Sequence, residues 1–493
     1  MKVEAYKKII DLSKRRGILW NSFEIYGGTA GFFDYGPIGC IIKKKIENIW
    51  REYFIIQEGY LEIETTTIGI KQVYLASGHI NNFSDPLCEC SKCHQSFKVD
   101  YILKYYNINE LLFENIFQID DYFHKNNILC PDCNGSFYNI YYFNLMFQTK
   151  IGPENGKTGY LRPETAQGTF INFQRISNFY RNKLPFGCVQ IGKVYRNEIS
   201  PRQGILRLRE FTQAECEIFV NPKNKNKDIS LYKNIILNLI TNNNENVLTY
   251  KLEDAVSKNI FNNNYIAYYI GLTYNFLLSI GIDESSIRFR QHKKNEMAHY
   301  AVDCWDTEIY TNQFGWIEVA GIADRTDFDL KSHINQSNEK LVIYKDENNK
   351  KEVIIPHVIE PSYGIDRILY CVLEKSYTEE IINEKNNKSI RTVLKIPNQI
   401  APYMISILPL LKKDNLCEIA MNLFNKLKKM NLLVYYDDSG SIGKRYRRND
   451  EIGIPYSITI DYQTIEDNTI TIRNRDTMKQ NRISIDEYIN KIK

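Results

Sequence analysis

The sequence predicts an α+β protein: a large domain on an antiparallel sheet, interrupted by a cysteine-knuckle insertion and followed by a smaller α/β domain. Three observations carry this. Two neighbouring segments, "GCVQIGKVYRNE" and "ILRLREFTQAECEIF", alternate with the two-residue period of half-buried strands. Four of the eleven cysteines fall as Cys90-x-x-Cys93 and Cys130-x-x-Cys133. The stretch "LLVYYDDSGSIGKRYRRNDEIGIPYSITI" reads as strand, loop, helix, strand, after a linker-like "EKNNKSIRTVLKIPNQIAPY".

The start, "MKVEAYKKIIDLSKRRG", alternates charge with apolar residues like an amphipathic helix, and no apolar run reaches spanning length. These features predict neither a signal peptide nor a membrane segment, and a cytoplasmic location. A hydrophobic fraction of 43% and a charged fraction of 25% are ordinary for a globular chain, and 493 residues suffice for two or three domains. Residues 35–54 place Gly and Pro before a helix with Ile42, Ile46, Ile49, Trp50 and Tyr53 on one face, suited to a core or a dimer contact.

The cysteine pairs come next. Each Cys-x-x-Cys turn can offer two thiolates to a tetrahedral ion, so Cys90, Cys93, Cys130 and Cys133 predict a structural zinc site. Cys88 is an alternative to Cys90, and His94 reads as a solvent-facing loop residue. The 36 residues between the pairs contain no interpretable motif.

From Ile205 onward the even positions, Leu206, Leu208, Glu210, Thr212, Ala214, Cys216 and Ile218, form a mostly apolar face. The odd ones, Arg207, Arg209, Phe211, Gln213, Glu215 and Glu217, share the other. A turn or longer hairpin loop, "ISPRQG", joins the strands. Guanidinium groups suit phosphates, carboxylates suit amines and a flat ring suits a base, so this face fits a nucleotide beside an amine-bearing substrate; a salt-bridged exposed ribbon is the alternative. The Asn/Lys tracts around 222–285 read as loops within a helical stretch. Further on, Glu318 stands in an apolar strand, where a lone carboxylate needs a cationic partner, and 358–374 runs strand, Glu-Pro-Ser, glycine, helix. Net charge is +4, and the excess lies in residues 391–493, with 17 Lys and Arg against 12 Asp and Glu. That bias permits nucleic-acid contact, while the dense part at 443–448 also reads as a charged turn.

Taken in order, "DYGPIG", "ASGHINNFSDP", "LRPETAQGTF", "RNEISPRQGILRLREFTQAECEIF", "EMAHYAVDCWD", "GWIEVAGIADRTDFDL", "VIEPSYGIDR" and "GKRYRRNDEIGIP" resemble the class II aminoacyl-tRNA synthetases, and within them the homodimeric glycyl-tRNA synthetases, over nearly the whole chain. The resemblance implies a class II catalytic domain at 1–84 and 151–390, the insertion at 85–150, and an anticodon-binding domain at 391–493. It implies ATP with Mg²⁺, glycine and tRNA(Gly) as substrates, activation through glycyl-adenylate, and a homodimer.

Residue roles follow from the same likeness. Arg196, with Asn197, would hold the α-phosphate, Glu198 the adenine amino group, and Phe211 the base by stacking. Arg207 and the Leu208 backbone would line the ATP site, Arg367 would grip the γ-phosphate, and Glu318, beside Val319, would bind Mg²⁺. Glu164, Glu215, Glu360, Pro361 and Ser362 would surround glycine, with Lys98 where relatives usually carry arginine. Arg209 and Glu210 are expected to pair internally, and Glu217 to be structural. A non-catalytic synthetase-like nucleic-acid-binding or polymerase accessory protein is the alternative, which intact Arg196, Glu198, Glu318 and Arg367 oppose.

Overall fold

The computed structural model describes residues 2–109, 112–201, 204–347, 350–384 and 387–492. Its centre is one sheet of nine strands: β1 (Leu61–Glu62), β2 (Phe186–Tyr195), β3 (Glu210–Val220), β4 (Ile236–Thr241), β5 (Asn244–Lys251), β6 (Ile287–Gln291), β7 (Asp303–Thr311), β8 (Gly315–Thr326) and β9 (His357–Gly364). They lie in the order β5-β4-β6-β7-β8-β9-β3-β2-β1. Pairing is antiparallel except for β1 with β2 and β4 with β6.

Helices α1 (Lys2–Arg15), α2 (Pro37–Arg51), α3 (Ala166–Ile171), α4 (Asn264–Ser279), α5 (Phe328–Ser337) and α6 (Ile365–Ser376) pack around it. The apolar sides of α2, α4 and α6 share a core with Ala214, Cys216 and Ile218 of β3. Burial on nearly all sides explains why α4 is apolar around most of its circumference. The "DYGPIG" run starts α2, with proline in the first turn. A Cβ at Gly39 would come within 2.0 Å of the Ile18 carbonyl oxygen, so the close approach of helix and chain there admits only glycine.

The strand expected from residue 205 starts at Glu210, because residues 204–206 turn tightly and bury Ile205 and Leu206. Of the loop before it, Arg202 and Gln203 lie outside the described residues. From 211 to 217 the odd positions share the face opposite the even ones, as expected, yet Phe211 packs against the edge of the core and Gln213, Glu215 and Glu217 are buried as well. The expected helical stretch at 222–285 begins instead with the β4–β5 hairpin, whose turn is the Asn242–Asn243 tract, and helices occupy only its second half. Alternating Leu237, Leu239, Leu248 and Tyr250 carried that strand signal.

Around the cysteine knuckles a small sheet of Ser84–Glu89, Ser96–Lys98 and Tyr141–Asn144 packs with helices Val99–Tyr105 and Ile116–Lys125 around its own core. The expected linker is the second strand of an antiparallel pair, Tyr377–Glu384 with Asn387–Leu394. Beyond it a five-stranded mixed sheet carries helices α7 (Leu416–Lys429) and α8 (Ile442–Ile452). The basic run at 443–448 is therefore helical. Arg445 is buried and donates to the carbonyls of Pro409 and Gly440, and Arg448 pairs with Asp437 at 2.6 Å.

Candidate active site and cysteine site

Strands β3, β9 and β8 form the floor of a cleft of about 300 Å³. Their register sets Glu215 beside Ser362, Ser362 beside Gly321 and Glu360 beside Ala323. Glu164, Arg196, Glu198, Arg207, Leu208, Phe211, Glu215, Glu318, Val319, Glu360, Ser362 and Arg367 all line it, so twelve separated sequence positions converge on one cavity.

One end is carboxylate-rich. Glu215 accepts from the Thr165 and Ala166 amides at 2.7 and 3.0 Å, from the Thr165 hydroxyl, and from the Ser362 hydroxyl at 2.7 Å. Glu360 takes two hydrogen bonds from Arg325 Nη1, at 2.8 and 3.0 Å. Arg325, fully buried, also binds Asp329 at 2.8 and 2.9 Å, reaches Glu164 at 3.4 Å, and lies 3.9 Å from the Tyr300 ring centroid. Burial opposes ionisation of Glu164, but Arg325 and His79 outweigh it and hold its carboxyl well below the usual range. Burial pushes Glu360 up to about 8 against the pull of Arg325, with Glu215 and Glu164 adding to the rise.

Toward the other end the charges are basic. Arg196 gives one hydrogen bond to the Pro163 carbonyl at 3.2 Å, and its guanidinium lies 5.5 Å from the Phe83 ring centroid and 5.4 Å from that of Phe211. Glu198 sits 3.4 Å from Arg207, and its Oε2 is buried without a hydrogen-bond partner. Arg367 binds the Glu318 backbone carbonyl at 2.8 Å and its carboxylate at 3.4 Å.

Some expected residues lie elsewhere. Lys98 pairs with Asp85 and stands 3.6 Å from Glu198, at the opposite end of the cleft from Glu215. Pro361 projects to the other face of β9 from Glu360 and Ser362, and Asn197, whose backbone N–H donates to the Leu145 carbonyl at 2.7 Å, is not among the residues lining the cleft. Arg209 and Glu210 do not pair together. Arg209 donates to the carbonyls of Glu198 and Ala30, and Glu210 pairs with Lys193 at 3.2 Å. Asp366 supports the cleft by accepting from the Thr212 amide at 2.5 Å and the Tyr35 hydroxyl.

Sequence reasoning missed Arg325, although it stands in an apolar strand as Glu318 does, four residues before Asp329. It also missed His292, which bonds Asp306 at 2.7 Å on the cleft's flank. That hydrogen bond, against burial, raises the His292 pKa above its ordinary value.

In the insertion the four cysteine sulfurs lie within 4.8 Å of one another, with Cys90 to Cys133 at 3.4 Å and Cys93 to Cys130 at 3.7 Å. Each knuckle closes on a residue in the left-handed region, His94 at φ 56° and Asn134 at φ 57°. A Cβ at Gly135 would stand 2.8 Å from the Cys90 sulfur, so glycine leaves the room the sulfurs need. Burial opposes ionisation of Cys90, but the amides of Cys93 and Lys92 and the Cys133 thiol bring it down to about 6. Four convergent thiols of this kind fit zinc. Cys88 is buried outside the cluster and pushed up to about 12 by burial, and His94 is exposed.

Comparison with known proteins places this architecture. Residues 147–376 match the model for the tRNA synthetase class II core domain (G, H, P, S and T), and residues 404–493 that for the anticodon binding domain. A prolyl-tRNA synthetase from Giardia lamblia, solved with prolyl-adenylate, superposes with a TM-score of 0.58 at 15% identity over 98% of this chain and 75% of that one. The fold and cleft are those of a class II aminoacyl-tRNA synthetase.

Within that class, the glycine–tRNA ligases of Methanococcus vannielii and Methanocaldococcus jannaschii are 44% and 43% identical to this chain, each over all of it and over 100% and 99% of their own lengths. The chain belongs to the glycine–tRNA ligase family.

Proposed function

We propose that this cleft performs the family's reaction, ATP-dependent ligation of glycine to tRNA(Gly), with the residue roles given below. The observation that carries the reading is the polarity of the cleft. Arg196, unopposed by any carboxylate within ion-pairing distance among the described residues, stands between the Phe211 ring and a pocket lined by Glu164, Glu215 and Glu360.

Glycine enters with its ammonium toward those three carboxylates and the Ser362 hydroxyl. Its carboxylate then points along the strand toward Arg196. Two anions must approach for reaction, so positioning and charge neutralisation dominate. A glycine carboxylate oxygen attacks the α-phosphorus of ATP, a bond forms there, and the bond to pyrophosphate breaks. Arg196 neutralises the α-phosphate as negative charge concentrates on it. Phe211 supports the base, Glu198 accepts from the adenine amino group, and Arg207 and Arg367 compensate the outer phosphates. Glu318, exposed and next to Arg367, would offer a carboxylate oxygen to a Mg²⁺ ion, which would supply positive charge near the phosphates. The terminal ribose hydroxyl of the tRNA then attacks the carbonyl carbon, and AMP leaves.

Larger amino acids are excluded by overlap with the packed carboxylates, a stronger filter than the ~1–3 kcal/mol available for rejecting a missing methylene. Lys98 and Pro361 have no part in this pocket. Cys90, Cys93, Cys130 and Cys133 would hold the structural zinc, which fixes the insertion. The C-terminal domain would read the anticodon. A cytoplasmic homodimer agrees with the absence, among the described residues, of a helix long and apolar enough to cross a membrane, and with the exposed Phe23, Ile25 and Tyr26 of one turn.

The test is pyrophosphate exchange into ATP with each of the twenty amino acids. Exchange with glycine alone is expected; exchange with none, or with proline, threonine or histidine in its place, refutes the assignment.

A further inference from the structure

Behind the amino-acid end of the cleft lies a carboxyl group that the proposed reaction does not use. Glu217 follows Glu215 by two residues on β3 and so turns to the same face, one step deeper. It is fully buried, and neither of its side-chain oxygens has a hydrogen-bond partner. Its carboxyl, that of Glu215 and that of Glu360 each place an oxygen within 4.8 Å of the others.

Every element packed against it withholds compensation. Its own strand supplies Glu215 and Cys216, and β2 places Cys188 directly opposite. β9 supplies Glu360, and α3 only the Thr169 hydroxyl, itself without a hydrogen-bond partner. The nearest cation, Arg325, is committed to Glu360, Asp329 and Glu164.

Of the three neighbouring carboxyls, two have donors, although burial still pushes Glu360 up to about 8. Glu215 has four donors, and Glu360 has both oxygens on Arg325. An ionised Glu217 would be a buried charge with only the Thr169 hydroxyl near it, so of the three Glu217 is the one with least to support its charge. Burial, then Glu215 and Glu360, raise its pKa well above the ordinary carboxylate value.

We propose that Glu217 is a positioning residue of the amino-acid pocket, a neutral carboxylic acid in the empty site that gives up its proton when an ammonium group settles against Glu215 and Glu360. The arriving positive charge removes the repulsion that kept Glu217 neutral. By linkage, release of the proton tightens the hold on the ammonium, and glycine binds more tightly as pH rises. The inference rests on the reading of Glu215 and Glu360 as ammonium ligands.

Calorimetric titration of glycine into the full chain with a non-hydrolysable ATP analogue, in two buffers of different ionisation enthalpy, counts the protons. The parent protein is expected to release roughly half a proton or more per glycine near neutral pH, and Glu217→Gln clearly less, the remainder coming from Glu360. In pyrophosphate exchange the KM for glycine of the parent should fall about three- to tenfold between pH 6.5 and 8.5, while that of Glu217→Gln falls less and the kcat profiles run parallel. No release by the parent, or equal release by Glu217→Gln, overturns the proposal. Should the variant not fold, the glycine-induced infrared difference spectrum of the parent decides: loss of a protonated-carboxyl C=O band supports the role of Glu217, and its persistence overturns it. Glu215→Gln separates the two readings, since a normal KM for glycine in that variant sinks the ammonium pocket itself whatever Glu217 does.

Discussion

Arg196→Ala and Arg209→Ala, at the paired ends of β2 and β3, should have opposite consequences. Arg196 makes one hydrogen bond to a backbone carbonyl, at 3.2 Å, and two ring contacts beyond 5 Å. Its loss should cost about 1–2 kcal/mol of stability. Its charge faces the cleft with no carboxylate paired to it, and removing one such preorganised group from a transition state costs about 2.7–4 kcal/mol. Glycine-dependent pyrophosphate exchange should therefore drop by roughly 10²- to 10³-fold, chiefly in kcat.

Arg209 is the reverse. Its guanidinium gives three hydrogen bonds, at 2.8, 2.8 and 3.1 Å, to the Ala30 and Glu198 carbonyls. Truncation should cost about 2–4 kcal/mol of stability, and exchange by the folded fraction should stay within about tenfold of the parent. Urea unfolding and exchange kinetics on both variants decide the matter. Exchange by Arg196→Ala within tenfold of the parent, or an equal loss in Arg209→Ala with unchanged unfolding, would refute the reasoning.

Other expectations concern the supports of the site. Cys130→Ser should lower bound zinc from about one per chain to near zero by elemental analysis and let the insertion melt before the catalytic core; full zinc content would remove the metal assignment. Arg325→Met leaves Glu360 and Asp329 buried without their cation and should cost about 3–5 kcal/mol in denaturant unfolding, with under 1 kcal/mol counting against the network. His292 has a folded pKa raised by Asp306, so its contribution to stability is complete below about pH 6.5 and fades as pH rises through the folded value. His292→Gln should thus be less stable than the parent near pH 6 and close the gap by about pH 8, as followed by thermal unfolding in matched buffers.

Much of the site was legible because strand parity is a local rule. Phe211, Glu215 and Glu217 share a face whatever surrounds them, and the cysteine pairs announce themselves by spacing. What parity could not supply was depth: it put Glu217 level with Glu215, although only Glu215 reaches the cleft. Nor could it supply partners from distant segments. Arg325 matters because Glu164, Asp329 and Glu360 converge on it from three elements, and Lys98 finds its partner in Asp85. The β4–β5 hairpin was obscured by composition, its asparagine-rich turn resembling an unstructured tract.

The strand pair at 377–394 has one more consequence. Arg391 reaches from it to Asp450 at 2.7 Å and to the Arg475 carbonyl at 2.5 Å, with Glu380 of its own strand pair beside it at 2.6 Å, while Arg16 near the chain start holds Glu451 at 2.5 Å. A cut made at residue 391, where composition changes, would sever the join at its strongest weld. The C-terminal sheet is bolted to the body by these ion pairs as well as by the chain that joins them.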